Sequence, residues 1–282
     1  MEQFKFSGYG GLKLCGRHWK TEHPQAVLLI IHGMGEHSGR YATMGEYLRE
    51  HGISVFSYDL RGHGLSGGKR GLIMSFDEFR EDVRLAVSQM SQSYPTAPFF
   101  IMGHSLGGTI LLDFMDVRAD NSQTPMRTVL PRGIIVSAPA LGAPGIPPYR
   151  IKIAKLLSAL APRLIMNTGL DSNSLSRIAD VCQQYRDDPL VHGKACVRLS
   201  GELESAQKRI FMGAERLRTA MLLSYGSEDN LVPRAPLERY FAAAGAQDKT
   251  FRVFDGAFHE LHNDSIRDEV YSLYSKWILE RV

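Results

Sequence analysis

The sequence predicts an α/β fold with a mostly parallel central sheet, helices on both faces and a helical cap insertion. Three features of the 282 residues carry that reading. Short continuous apolar runs recur along the chain, as strands buried on both faces of a parallel sheet do. Helical periodicity fills most of the gaps between them. Over residues 140–213 the rhythm breaks, and helical stretches follow one another with no strand between. The expected division is a core of residues 1–139 and 214–282 around a cap of residues 140–213, within a single domain.

The first run is Ala26–Ile31 (AVLLII) and the second is Ile53–Tyr58 (ISVFSY). Apolar side chains at 76, 79, 83, 86, 87 and 90 then form one face of a helix. Runs at 99–102, 133–136, 220–225 and 250–254 follow, with a helix expected over 108–115. Pro139, Pro144, Pro147 and Pro148 mark the entry to the cap. Within it, 149–166 carries a dense apolar face that includes Leu156 and Leu160, interrupted by Lys152, Lys155, Ser158 and Arg163. This predicts an amphipathic helix with a basic side, which Pro162 should bend or stop. Three readings of its apolar face stay open: core packed on the body, the lining of an apolar tunnel, or a surface that dips into a lipid interface.

Composition excludes several classes. A formal net charge of +3 and the lack of a Lys/Arg block argue against a nucleic-acid partner. The three cysteines are odd in number and form no C-x-x-C pair, against a disulfide framework or a zinc site. The N-terminus has no apolar signal-type segment, and no apolar run approaches the roughly 20 residues that span a bilayer. The expectation is a reduced, cytoplasmic protein, with peripheral contact at a membrane surface through the cap left open.

Gly103, Ser105 and Gly107 form a G-x-S-x-G motif between an expected strand and an expected helix. Strand, motif and helix together read as a nucleophile elbow. The serine sits on a tight turn, and glycines two residues either side let strand and helix approach. A neutral hydroxyl is a weak nucleophile, so a base and an orienting acid are needed. In the α/β-hydrolase fold they follow in the order acid, then histidine. Downstream of Ser105 the histidines are His192, His259 and His262. His259 follows the last expected strand and is the candidate base, whereas His192 falls inside the cap. Asp229 follows the preceding strand and is the candidate acid, ahead of Glu228 and Asp255. The spacing His259–His262 is one residue too short for H-E-x-x-H, against a metalloprotease.

Acyl transfer places negative charge on the substrate oxygen, which aimed backbone N–H groups stabilise. One candidate donor is Leu106, the residue after the nucleophile. The other is Met34, in the glycine-rich turn His32–Gly35 after the first run. No metal or organic cofactor is called for.

Matching segments run in order along nearly the whole chain: 32–41 (HGMGEHSGRY), 59–67 (DLRGHGLSG), 103–108 (GHSLGG), 137–140 (SAPA), 185–190 (YRDDPL), 226–232 (GSEDNLV) and 256–262 (GAFHELH). On these the chain resembles the monoacylglycerol lipase group of α/β-hydrolases, which shares its motifs with lysophospholipases. The resemblance implies a triad of Ser105, Asp229 and His259, oxyanion donors at Met34 and Leu106, and a small lipid ester as substrate. It also implies a polar headgroup pocket at Glu36, Arg40, Tyr185 and His262, and a cap over an acyl tunnel. For Glu36 and Arg40 the plain alternative is a surface ion pair, and for Tyr185 it is cap packing. Rival functions are a lysophospholipase or general carboxylesterase with the same chemistry, a peptidase on the same triad, and a non-catalytic ligand-binding relative. The last usually lacks a triad member. Epoxide and haloalkane hydrolysis normally use an aspartate at the elbow.

Overall fold

A computed structural model describes residues 1–120, 130–142 and 157–282, with the backbone alone for 117–120. The strands are β1 (Glu2–Ser7), β2 (Lys13–Trp19), β3 (Ala26–Ile31), β4 (Ile53–Tyr58), β5 (Phe99–His104), β6 (Gly133–Ser137), β7 (Ile165–Asn167), β8 (Lys194–Cys196), β9 (Ala220–Gly226) and β10 (Lys249–Phe254). Eight of them form one sheet in the order β1-β2-β4-β3-β5-β6-β9-β10. From β4 to β10 every pairing is parallel; β1 and β2 join antiparallel at one edge. The six expected runs are all strands of this sheet.

The helices are α1 (Ala42–Glu50), α2 (Asp77–Ser93), α3 (Leu106–Asp120), α4 (Ala179–Asp187), α5 (Val197–Gly213), α6 (Arg234–Ala243) and α7 (Arg267–Leu279). Alternation along each strand divides the core in two. Val27, Leu29 and Ile31 pack with apolar residues of α2, α3, α5 and α6. Ala26, Leu28 and Ile30 face the other way, onto α1 and α7. Burial on both faces explains why β3 to β6 read as unbroken apolar runs.

Two features depart from expectation. The edge strands β1 and β2 were not foreseen. β2 buries Arg17 and His18, a pattern that does not read as a strand. Both are satisfied: Arg17 bonds Asp59 at 2.8 Å, and His18 bonds Ser54 at 2.9 Å. Within the cap region, β7 and β8 pair antiparallel, so that region is not wholly helical. Of the helix expected over 149–166, residues 149–156 lie outside the described residues, and the remainder stops at Pro162 as expected. Residues 157–160 are helical, the chain leaves the helix before Pro162, and Ile165 enters β7. Proline has no N–H to continue the ladder. Leu156 lies outside the described residues. Leu160 is 73% exposed, so it faces solvent instead of lining an enclosed tunnel.

Candidate active site

Chain order around β3 sets the position of the site. From β3 the chain steps to β4 on one side, and β5 then lies on the other. The crevice between β3 and β5 is thus a topological switch point, where open α/β sheets bind ligands. The loop after β3 carries Gly33 and Met34; the turn after β5 carries Ser105.

Ser105 has φ of +53°, a left-handed conformation that costs a non-glycine residue about 1–3 kcal/mol. The surroundings enforce it. The Ser105 N–H donates to Ser137 O at 2.9 Å, and the Ala140 N–H donates to Ser105 O at 3.2 Å. The flanking glycines are required by close approach. A Cβ on Gly103 would lie 2.4 Å from Gly107 O, and one on Gly107 would lie 2.2 Å from Ile31 O. Leu106 opens α3, so its N–H is among the first-turn donors without an intrahelical acceptor.

His259 and Asp229 converge from the ends of β10 and β9. His259 Nδ1 lies 2.7 Å from Asp229 Oδ2, and both side chains are buried. The other carboxylate oxygen, Oδ1, accepts the N–H groups of Leu231 at 2.8 Å and Val232 at 3.0 Å. Burial alone would push the His259 imidazole pKa down. The charge of Asp229 and its hydrogen bond outweigh that, with help from Glu260 and Glu36, and the pKa stands above its ordinary value. The competing residues are placed elsewhere. Glu228 is exposed, Asp255 accepts from Ser227 Oγ at 3.3 Å, and His192 bonds Gly62 O.

His32, quoted above only as part of a motif, fixes the orientation of the loop after β3. The Leu60 N–H donates to His32 Nε2 at 2.8 Å. Nε2 is therefore the acceptor, and Nδ1 carries the proton that goes to Gly33 O at 2.8 Å. Burial lowers the His32 pKa to about 4, which keeps the ring neutral as this arrangement requires. In a trans peptide C=O and N–H point opposite ways, and no cis bond occurs among the described residues. With Gly33 O held towards His32, the Met34 N–H points away from that ring. Glu36 Oε1 accepts the Gly33 N–H at 2.6 Å and the Tyr41 hydroxyl at 2.9 Å. A Cβ on Gly33 would lie 3.2 Å from Ser105 Cβ, so this loop abuts the elbow.

Met34, Ser105 and His259 line one narrow cleft, together with Glu36, Tyr185 and Glu260. Arg40 lies between the two carboxylates, with Nη2 at 2.5 Å from Glu260 Oε2 and Nε at 3.4 Å from Glu36 Oε2. Its guanidinium sits 4.8 Å from the centroid of the Tyr185 ring. Glu36 and Arg40 are therefore a buried ensemble and not a surface pair. Burial and the nearby Glu260 charge raise the Glu36 pKa, partly offset by Arg40. For Glu260 burial works in the same upward sense, but Arg40 and His262 outweigh it and the pKa is lowered. His262 does not line the cleft. It is buried behind, stacked on Tyr41 at 4.4 Å between centroids, and burial lowers its pKa to about 4. Glu260 was missed at the sequence level. Its one signal is a charged residue directly after the candidate base, and its partner Arg40 lies 220 residues away.

The Arg40→Met variant should be markedly less stable. It leaves Glu36 and Glu260 buried without their cation, and breaking such a pair costs about 3–5 kcal/mol. Thermal unfolding should show a midpoint lower by several degrees, at roughly 2–4 °C per kcal/mol. A change within experimental error would mean that the carboxylates are solvated or protonated at no cost.

Residues 22–266 match the family described as serine aminopeptidase, S33. A monoacylglycerol lipase of Mycolicibacterium smegmatis is 30% identical over 283 residues, 99% of this chain and 98% of the relative. The human monoglyceride lipase is 31% identical over 277 residues, 96% of this chain and 88% of its own. Among solved structures, the monoacylglycerol lipase of Paleococcus ferrophilus aligns with a TM-score of 0.85 at 31% identity, over 95% of this chain and 99% of that one.

Proposed function

We propose that this chain, which belongs to the serine aminopeptidase S33 family of α/β-hydrolases, cleaves the ester bond of monoacylglycerols to release a fatty acid and glycerol. The observation that carries the reading is the cleft itself. A serine on a strained elbow and a histidine bonded to a buried aspartate share it with the polar side chains of Glu36, Tyr185 and Glu260.

In this reading Ser105 Oγ attacks the ester carbonyl, and His259 Nε2 takes the serine proton. Asp229 holds Nδ1–H and stabilises the imidazolium that forms. The oxyanion is met by the N–H groups of Met34 and Leu106. His259 then protonates the departing glycerol oxygen, activates a water molecule and frees the acid from the acyl-enzyme. Glu36, Arg40 and Tyr185 are proposed to satisfy the glycerol hydroxyls, with Glu260 fixing Arg40 and His262 supporting Tyr41 from behind. A second acyl chain placed there would bury those groups unpaired, at about 1–3 kcal/mol each.

The test compares kcat/KM for monooleoylglycerol, dioleoylglycerol, oleoyl-lysophosphatidylcholine and an amino-acid anilide in one detergent system. The monoglyceride should be preferred by at least about tenfold, the equivalent of 1.4 kcal/mol. A faster lysophospholipid would move the assignment to a lysophospholipase, and a faster anilide to a peptidase. Equal rates on the diglyceride would return the polar cluster to a structural role. No helix among the described residues is long and apolar enough to cross a membrane. Contact with a lipid surface, through exposed Leu160, Leu164 and Met166, is part of this proposal.

A further inference from the structure

We infer that the cap segment Asp188–His192 positions the oxyanion loop, so that the cap sets the rate of ester cleavage as well as which acyl chain is held. The inference rests on the hydrolase reading above. The loop that carries the Met34 N–H meets the cap at three points. His37 Nε2 lies 2.8 Å from Asp188 Oδ2. The Gly39 N–H donates to His37 Nδ1 at 3.1 Å, so Nδ1 is the acceptor and Nε2–H is the proton that Asp188 receives. Two residues earlier in the loop, Gly35 O accepts the His192 N–H at 2.9 Å. Gly35 itself has φ of +77°, and a Cβ there would lie 2.5 Å from His192 O and 3.1 Å from the Tyr185 hydroxyl. The cap backbone is seated on this glycine.

Gly35 and His37 flank Glu36, whose carboxylate holds the Gly33 N–H. The loop is thus gripped on two sides. His32 and Glu36 hold Gly33 from within the body, and Asp188 and His192 hold Gly35 and His37 from the cap. The cap segment has its own anchors. The Leu190 N–H donates to Asp188 Oδ1 at 2.8 Å, His192 Nε2 lies 3.0 Å from Gly62 O, and the Cys196 N–H donates to Gly71 O at 2.8 Å. A shift of the cap would therefore be transmitted to the peptide that carries the Met34 donor. Such donors stabilise the transition state only when held where the oxyanion forms. Asp188 touches neither the cleft nor the reacting atoms, and is a positioning residue.

The experiment uses p-nitrophenyl acetate, whose acyl group is too short to sense an acyl tunnel. Asp188→Ala should lower kcat about tenfold, the scale of a donor displaced but not removed, with KM within about twofold. Affinity for a methyl trifluoromethyl ketone, which adds to the nucleophile and puts its oxygen on the oxyanion donors, should fall by a similar factor. Asp188→Asn should keep most of kcat: Asp188 and the Leu190 N–H are only half-buried, so the one amide oxygen can stay on His37 while the Leu190 N–H turns to water, a release that the buried Asp229 does not have. His37→Leu removes the donor from the other side and carries the same expectation as Asp188→Ala, should that variant not fold. An unchanged kcat on acetate, with losses confined to long-chain esters, would overturn the inference. So would equal losses in Asp188→Ala and Asp188→Asn. Failure of the hydrolase reading is a separate result: no turnover of acetate by the unmodified protein, or full turnover after loss of Ser105.

Discussion

Ser105→Ala should lower kcat for ester hydrolysis by a factor on the order of 10⁶, the loss seen when the nucleophile of a triad hydrolase is removed. The variant should fold as well as its parent. The strain at Ser105 is in the backbone, at φ +53°, and alanine experiences that dihedral much as serine does. The hydrogen bonds that hold the turn are made by main-chain N–H and C=O groups of Ser105, Ser137 and Ala140, and these survive the substitution. Thermal unfolding of the two proteins should therefore overlap, while a fluorophosphonate labels the parent once and the variant not at all. Residual activity of 10³–10⁴ over water would still be consistent with this account, since oxyanion donors and binding remain. Activity within tenfold of the parent would remove Ser105 from the chemistry and leave a ligand-binding relative as the better reading.

How much of this was legible in the sequence depends on which force shaped each element. The central strands were legible because burial on both faces demands unbroken apolar runs, as in AVLLII of β3. The edge strand β2 was not, because its run of buried residues includes Arg17 and His18, which need partners far along the chain. Asp59 and Ser54 supply them, and no local pattern announces such pairing. β7 and β8, at three residues each, are too short for any periodicity. The stop of the cap helix before Pro162 was legible, because proline breaks the ladder whatever the apolar spacing beyond it.

The candidate site divides the same way. G-x-S-x-G was legible because backbone crowding leaves glycine as the residue for positions 103 and 107. The pairing of His259 with Asp229, and not with Glu228 or Asp255, was narrowed by position after the strands and is resolved in space by one 2.7 Å contact. Glu260 and the tautomer of His32 were not legible. Each acts through a partner more than twenty residues away, Arg40 for the one and Leu60 for the other. Their spacing carries no periodic signal.

Asp229→Asn should cost about 10⁴ in kcat, by analogy with the loss of the orienting acid in other triads, and the structure says why the near-isosteric amide is not tolerated. Asp229 Oδ1 accepts two main-chain N–H groups, from Leu231 and Val232. An asparagine in this site must keep its oxygen there, since turning its NH₂ towards these two donors would leave both unpaired, the Val232 N–H in a buried position. The NH₂ then faces His259 Nδ1. That nitrogen must become the acceptor, which moves the imidazole proton to Nε2, the atom that has to accept from Ser105. The variant should therefore hold its fold and its geometry but present the wrong tautomer. The pH dependence gives an independent check. In the parent, burial lowers the His259 pKa, but Asp229 outweighs it and the value is raised. The base works only when neutral, so activity should fall as pH drops through a value above the ordinary 6.5. Removing the charge of Asp229 leaves burial less opposed, so the acid limb of the remaining activity should move to lower pH. A limb that stays in place, or a kcat within tenfold of the parent, would mean that Asp229 is not the group that orients His259. The same profile measured on Glu228→Gln should be indistinguishable from the parent, because that side chain is exposed and outside the contact.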